Sequence, residues 1–201
     1  MDAKADTFGV VIAGGRSVRF GGEKAVALFE GRSLLEWAVA RLAPHCGQVA
    51  VNARPGTATE ALAAREGWSV LPDLPGDAAG PLAGVHAGLV WAASRGARRI
   101  AVSPCDAPLL PDDLFARLLA AAGEGAAMAI TGEGRQPLCA VWPVSALEEV
   151  SRALNGGAHP PTWRLLEAVG ATPVRFDDAA AFANVNTRES LEALARTRHQ
   201  R

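Results

Sequence analysis

Residues 8–24 read Phe8-Gly-Val-Val-Ile-Ala-Gly-Gly-Arg-Ser-Val-Arg-Phe-Gly-Gly-Glu-Lys24. The opening run, Phe8 to Ala13, is short, apolar and stopped by glycines, the pattern of a strand buried on both faces. The remainder, Ala13 to Lys24, is a loop with two glycine pairs and three cations, Arg16, Arg19 and Lys24. Glycines let the backbone turn sharply and bring amide groups close to a ligand. Amides and cations gathered in one loop are the chemistry of polyphosphate binding. Two familiar phosphate loops are excluded. Gly14-Gly15-Arg16 does not give the G-x-G-x-x-G dinucleotide fingerprint, and Gly22 is followed by Glu23-Lys24-Ala25 rather than by the G-K-[ST] of a Walker A loop. Taken alone, the stretch also reads as a solvated loop with surface arginines.

Outward from this stretch, strand and helix alternate. Ser33 caps a helix with Leu34, Leu35, Ala38 and Leu42 on one face. Gln48 to Asn52 reads as a strand, Thr57 to Glu66 as a helix and Trp68 to Leu71 as a strand. Leu82 to Ser94 is a helix opened by Gly80-Pro81, Arg99 to Ser103 a strand, and Pro111 to Ala121 a helix. This alternation from Phe8 to about Ala121 predicts an α/β fold, a mostly parallel sheet with helices on both faces. Beyond it, Ala126 to Ile130 and Leu138 to Trp142 read as strands joined by a turn. Ser145 to Leu154 and Thr162 to Val169 read as helices, Thr172 to Phe176 as a strand, and a last helix begins at Thr187.

In an open parallel sheet ligands bind beyond the carboxyl ends of the strands, so the residues there are the candidates for chemistry. Asp106, in Ser103-Pro-Cys-Asp-Ala-Pro108, is held between prolines; it reads as a Mg²⁺ ligand or as a turn former. Asn52 ends its strand and either reads a base edge or caps the strand. Asp73 lies where it accepts hydrogen bonds from a base or sugar, and the glycines from Gly76 to Gly84 suit a close ligand approach. Asn184 and Asn186 precede the last helix; Asn186 reads as a metal or phosphate ligand, or as a cap together with Thr187. Trp163 and Arg164 suit a planar heterocycle or the core. Cys105 reads as a small buried hydrophobe rather than a nucleophile.

Bulk properties narrow the classes. The 201 residues suit one domain. A formal net charge of −1 excludes the broad basic field of a general nucleic-acid binder. No apolar run approaches the length of a membrane span, and Met1 to Thr7, polar and of mixed charge, is unlike a secretory leader. Cys46, Cys105 and Cys139 match neither a disulfide framework nor a zinc pattern, which suits a cytoplasmic protein.

Together the loops resemble the MobA-like nucleotidyltransferases, the molybdenum cofactor guanylyltransferases among them. The pattern L-A-G-G-x-S-x-R-M-G-x-D-K is met by Ile12 to Lys24, G-P-L-A-G by Gly80 to Gly84, P-C-D-x-P by Pro104 to Pro108, and N-x-N-T-x-E-x-L by Asn184 to Leu191. The matches run in order over nearly the whole chain. The resemblance implies one Rossmann-like, three-layer domain over residues 1–201, with a nucleotide-binding part at about 8–121 and an acceptor-binding part at about 122–201. It implies transfer of GMP from Mg-GTP to the terminal phosphate of molybdopterin, releasing pyrophosphate, in a monomeric enzyme that meets other molybdenum cofactor or molybdoenzyme proteins. It places Ile12, Ala13, Gly14, Gly15, Lys24, Asn52, Asp73, Gly80 and Asp106 at the nucleotide. Arg19, Lys24 and Asp106 become catalytic, Asp106 the Mg²⁺ ligand, and Asn184 and Asn186 acceptor-binding. Related cytidylyltransferases read A-A-G where this chain has Ala13-Gly14-Gly15, and the second glycine favours GTP over CTP. Phe20 replaces a methionine and Glu23 an aspartate, and residues 157–164 offer only His159 and Arg164 where relatives carry several basic residues. The rival readings are a molybdopterin cytidylyltransferase, a cobinamide-phosphate guanylyltransferase, a sugar-1-phosphate nucleotidyltransferase, and a GTP-binding handover module without turnover.

Overall fold

A computed structural model describes residues 4–15, 20–77, 80–155 and 160–198. Arg16, Arg19 and His159 lie outside the described residues. A seven-stranded sheet, in spatial order β5-β4-β1-β6-β8-β7-β9, forms its centre. The strands are β1 (Thr7–Ile12), β4 (Gln48–Asn52), β5 (Ser69–Leu71), β6 (Arg99–Pro104), β7 (Ala127–Thr131), β8 (Gly134–Pro143) and β9 (Thr172–Arg175). A separate two-stranded hairpin pairs β2 (Leu28–Phe29) with β3 (Arg32–Ser33). In the main sheet only β8 runs against its neighbours; β1, β4, β5 and β6 are mutually parallel, and β7 and β9 point the same way.

The pleat of β1 distributes its side chains between two cores. Val11 faces a layer built by α1 (Leu34–Leu42), α2 (Ala58–Arg65) and α4 (Leu114–Ala122), through Leu35, Leu62 and Leu118. Val10 faces the other layer, built by α3 (Pro81–Ser94), α5 (Leu147–Asn155) and α6 (Thr162–Ala168), through Leu89, Val150 and Leu166. Period-two alternation on a strand buried on both faces makes the three-layer arrangement. The chain closes with α7 (Arg188–Arg198).

Local signals set most boundaries. Ser33 and Glu36 form a reciprocal capping box at the start of α1. Pro81 stands in the first turn of α3 after Gly80, whose φ of 154° suits glycine. Three departures from the sequence expectation go beyond shifts of one or two residues. Helix α4 begins at Leu114 rather than Pro111. Strand β8 begins at Gly134 rather than Leu138, because a register shift between Met128 and Ala129 absorbs the intervening residues and lets Gln136 pair with Ala129. The β2–β3 hairpin turns on Glu30 and Gly31, both at positive φ, within a stretch that shows no strand periodicity.

Helix α3 lies unusually close to the sheet. A Cβ on Gly88 would come within 2.8 Å of Val10, and one on Gly84 within 2.5 Å of the Asn52 side chain. Two glycines one turn apart thus let the N-terminal half of α3 settle against β1 and β4. Among the described residues no helix is long and apolar enough to cross a membrane.

Candidate active site

The carboxyl ends of β1, β4, β5 and β6 open into a cleft of about 610 Å³. Backbone bonds extend the ladder past the strand ends: Ala13 N–H donates to Asn52 O, Ala53 N–H to Leu71 O and Cys105 N–H to Ile12 O. These fix the loops that follow. Ile12, Ala13, Gly14, Gly15, Asn52, Asp73 and Gly80 line it, and so do Lys24, Asp106 and Asn186, which meet one another.

The Lys24 ammonium lies 2.8 Å from Asp106 Oδ2 and 3.0 Å from Asn186 Oδ1. The Lys24 and Asp106 side chains are 12% and 20% exposed, so the pair is shielded but reachable from the cleft. The Asn186 segment is tied to the same point, since Val185 N–H donates to the Asp106 carbonyl at 2.8 Å. Capping of α7 falls to Thr187, whose hydroxyl accepts from Ser190 N–H, leaving the Asn186 side chain to the lysine. Asn184 is exposed and outside the cleft lining.

Asn52 is 2% exposed. Its amide donates to Leu71 O at 3.0 Å and to Asp73 Oδ1 at 2.9 Å, so it locks the ends of β4 and β5 together and orients Asp73. Gly14 packs against this amide, since a Cβ there would lie 3.0 Å from Asn52 Oδ1. Gly15 is different: among the described residues a Cβ there would meet nothing within 4 Å. Those residues therefore leave room for a side chain at Gly15, on the wall of the cleft.

Two lining features escaped sequence reasoning. Glu23 reaches across to the N-terminus of α2, accepting from Ala58 N–H at 2.8 Å, Thr59 N–H at 2.7 Å and the Thr59 hydroxyl at 2.7 Å. Burial alone would raise its pKa, but these hydrogen bonds and the nearby Arg54 outweigh it and hold the carboxyl below the ordinary glutamate value. Glu23 thus fastens the residue next to Lys24 to a helix dipole. Arg54, also in the lining, is a further cation that the spacing of motifs did not single out. Cys105 borders the cleft, and burial, with the Asp106 charge second, pushes its thiol up to about 12, so it is no nucleophile. Trp163 packs against the second core with Arg135 and Arg164 stacked on its ring, away from the cleft lining.

The donor set fits a hard divalent cation. Asp106 and Asn186 present oxygens to one point, and an ammonium already occupies the space between them. Among the described residues no cluster of three or more His, Cys, Asp or Glu could hold a metal, so a cation here would complete its shell from ligand and water, as Mg²⁺ commonly does.

A glycine-lined cleft at the carboxyl edge of a parallel sheet, with a lysine–carboxylate pair at its mouth, defines an α/β nucleotide-handling domain. Comparison with known proteins makes this specific. Residues 9–173 match the MobA-like NTP transferase domain, and the chain belongs to that family. The molybdenum cofactor guanylyltransferase of Cupriavidus taiwanensis is 40% identical over 205 residues, covering 96% of this chain and 98% of that protein. The one from Cereibacter sphaeroides is 38% identical over 186 residues, 92% and 93% of the two chains. Among solved structures, molybdopterin-guanine dinucleotide biosynthesis protein A from Archaeoglobus fulgidus superposes with a TM-score of 0.76 at 24% identity, covering 96% of this chain and all of that one. The 2-C-methyl-D-erythritol 4-phosphate cytidylyltransferase of Thermus thermophilus shares the fold at a TM-score of 0.66 and 23% identity, with 93% and 98% covered.

Proposed function

We propose that this nucleotidyltransferase moves GMP from Mg-GTP to the terminal phosphate of molybdopterin, forming the guanine dinucleotide and pyrophosphate. The observation that carries the reading is the meeting of Lys24, Asp106 and Asn186 at the mouth of a cleft lined by the Ile12–Gly15 loop. The similarity to guanylyltransferases along nearly the whole chain supports the choice of nucleotide and acceptor.

The attacking phosphate is already anionic, so no strong general base is needed. Rate comes from bringing two polyanions together in line and from stabilising the charge that builds on pyrophosphate. The backbone of Ala13 to Gly15 receives the phosphates, and Gly15, with open space where a side chain would stand, permits their close approach. Lys24 neutralises phosphate charge, aided by Arg19. Asn52 holds Asp73 toward the base and ribose. Asp106 holds Mg²⁺, which when bound supplies charge neutralisation at the phosphate oxygens. Asn186 faces the acceptor side, and Asn184 completes that contact. The three cysteines carry no disulfide, which fits a reducing compartment, and we place the reaction in the cytoplasm.

The test is GMP transfer by the Asp106→Asn variant, in which an amide oxygen still accepts from Lys24 so that the loop stays anchored. Transfer from GTP to molybdopterin is expected to vanish while the melting temperature stays at the wild-type value. Full activity in this variant refutes the assignment, and faster turnover of CTP than GTP by the wild type refutes the nucleotide.

A further inference from the structure

Helix α3 carries a histidine that the cleft chemistry does not use. His86 is 8% exposed. Its Nδ1 lies 2.8 Å from Asp77 Oδ2 and its Nε2 2.8 Å from Ser151 Oγ. The Asp77 side chain is only 4% exposed. A carboxylate withdrawn from water needs a partner to offset its lost hydration, and His86 supplies one. With a proton on Nδ1 the ring donates to Asp77, and Nε2 either accepts from the Ser151 hydroxyl or, when protonated, donates to it, so both ring nitrogens are satisfied. The residue types are those of a nucleophilic triad, but the three lie within the fold and outside the cleft lining. Positioning is the role their placement supports.

Each partner sits on a different element. Asp77 lies in the segment between β5 and α3. The beginning and end of that segment, Asp73 and Gly80, both line the cleft. Asn52 fixes Asp73, and the first turn of α3 fixes Gly80. Between them the chain turns through Gly76, at a φ of 91°, with Asp77 N–H donating to Leu74 O. Asp77, through His86, thus ties the stretch that follows Asp73 to the body of the protein. Ser151 lies on α5, which packs beside α3 in the same layer.

We infer that His86 is a positioning residue for nucleotide binding: through Asp77 it pre-orders the stretch from Asp73 to Asp77 at the edge of the cleft, and through Ser151 it anchors that stretch to α5. The inference rests on reading the cleft as the GTP site. A stretch that is no longer pre-ordered must be ordered by the ligand, so the loss falls on affinity. Lys24, Asp106 and Asn186 stand on other elements, so the chemical step is spared.

Three measurements on His86→Leu and on the double variant Asp77→Leu/His86→Leu test this. The single variant strands a buried carboxylate and lowers the melting temperature; the double variant removes that charge and recovers most of it. Both are expected to bind Mg-GTP about tenfold more weakly by calorimetry, with KM for GTP raised alike and kcat within about twofold of wild type. Amide hydrogen exchange across residues 73–77 is expected to speed up in both without nucleotide, while β1 and β4 are unchanged. Wild-type GTP affinity in the recovered double variant, or unaltered exchange at 73–77, overturns the positioning role alone. A wild-type protein that binds no Mg-GTP overturns both this inference and the function on which it rests.

Discussion

Replacing Gly84 by alanine sets two effects of opposite sign against each other, and the structure decides the winner. In a helix interior alanine is ordinarily preferred over glycine by about 1 kcal/mol. Here the added Cβ would stand 2.5 Å from Asn52 Oδ1, 2.8 Å from its Cγ and 2.9 Å from Ile12 Cδ1, where ordinary contact begins at 3.4 Å. Asn52 cannot swing aside cheaply, because it is buried and its amide is spent on Leu71 O and Asp73 Oδ1. Either the start of α3 backs away by about 1 Å, as close-packed interiors transmit such strain, or the amide surrenders its hydrogen bonds. Overpacking costs about 1–3 kcal/mol, and an unsatisfied buried amide a similar amount. Less the propensity gain, a loss of up to about 2 kcal/mol remains, or up to roughly 4–8 °C in melting temperature for a domain of this size. Because Asn52 and Gly80 line the cleft, KM for GTP should rise as well. Gly15→Ala is the control: with no described residue within 4 Å of its Cβ, it should melt with the wild type yet bind nucleotide poorly. Thermal and urea melts, with GTP titration, read both variants. A Gly84→Ala protein more stable than wild type refutes the close approach of α3 to β4; a destabilised Gly15→Ala protein refutes the open wall at Gly15.

Glu23→Gln should weaken the link between the Lys24 loop and α2, at about 1 kcal/mol, the scale of a lost helix cap. Because the folded state holds the Glu23 carboxyl below its ordinary value, its contribution is present above that value and is lost as pH falls through the lower, folded-state one. Urea melts of the two proteins should therefore converge in acid, and a gap that widens toward low pH refutes the sign. For the cysteines, mass spectrometry after iodoacetamide at pH 8 should find the folded chain unlabelled at Cys46 and Cys105, whose thiols burial pushes up to about 12. The denatured chain should label at both, and rapid labelling of folded Cys105 refutes its shielding.

How far the sequence discloses this molecule depends on the range of the interaction. Strands β1, β4 and β6 were legible because apolar runs stopped by Gly, Asn or Pro are local patterns, and because the strand-end rule then points to Gly14, Asn52, Asp73 and Asp106. All four meet in the cleft. Glu23 was not legible as a tether, since its partners Ala58 and Thr59 are 35 and 36 residues away and nothing in a Glu-Lys pair announces a distant helix start. The Asp77–His86–Ser151 trio was hidden for the same reason: His86 within an apolar helix reads as packing until α5 is laid beside α3. The first residues of β8 were obscured by composition. Gly-Arg-Gln-Pro resembles a turn, and only pairing with β7 across an irregular register makes it a strand. Arg16 and Arg19, prominent in the loop, lie outside the described residues.

The reversed strand β8 bears on how this protein can be dissected. It pairs with β6 along Arg99 to Val102, covering the backbone of the innermost parallel strand. A fragment ending near residue 121 would leave that row of amides and carbonyls open, flanked by Ile100 and Val102, both fully buried in the intact chain. An apolar edge of this kind recruits other chains and aggregates. The division into a nucleotide side and an acceptor side is thus one of labour within a single sheet, and exchanging acceptor halves between relatives would mean rebuilding a seam that runs through the middle of the core.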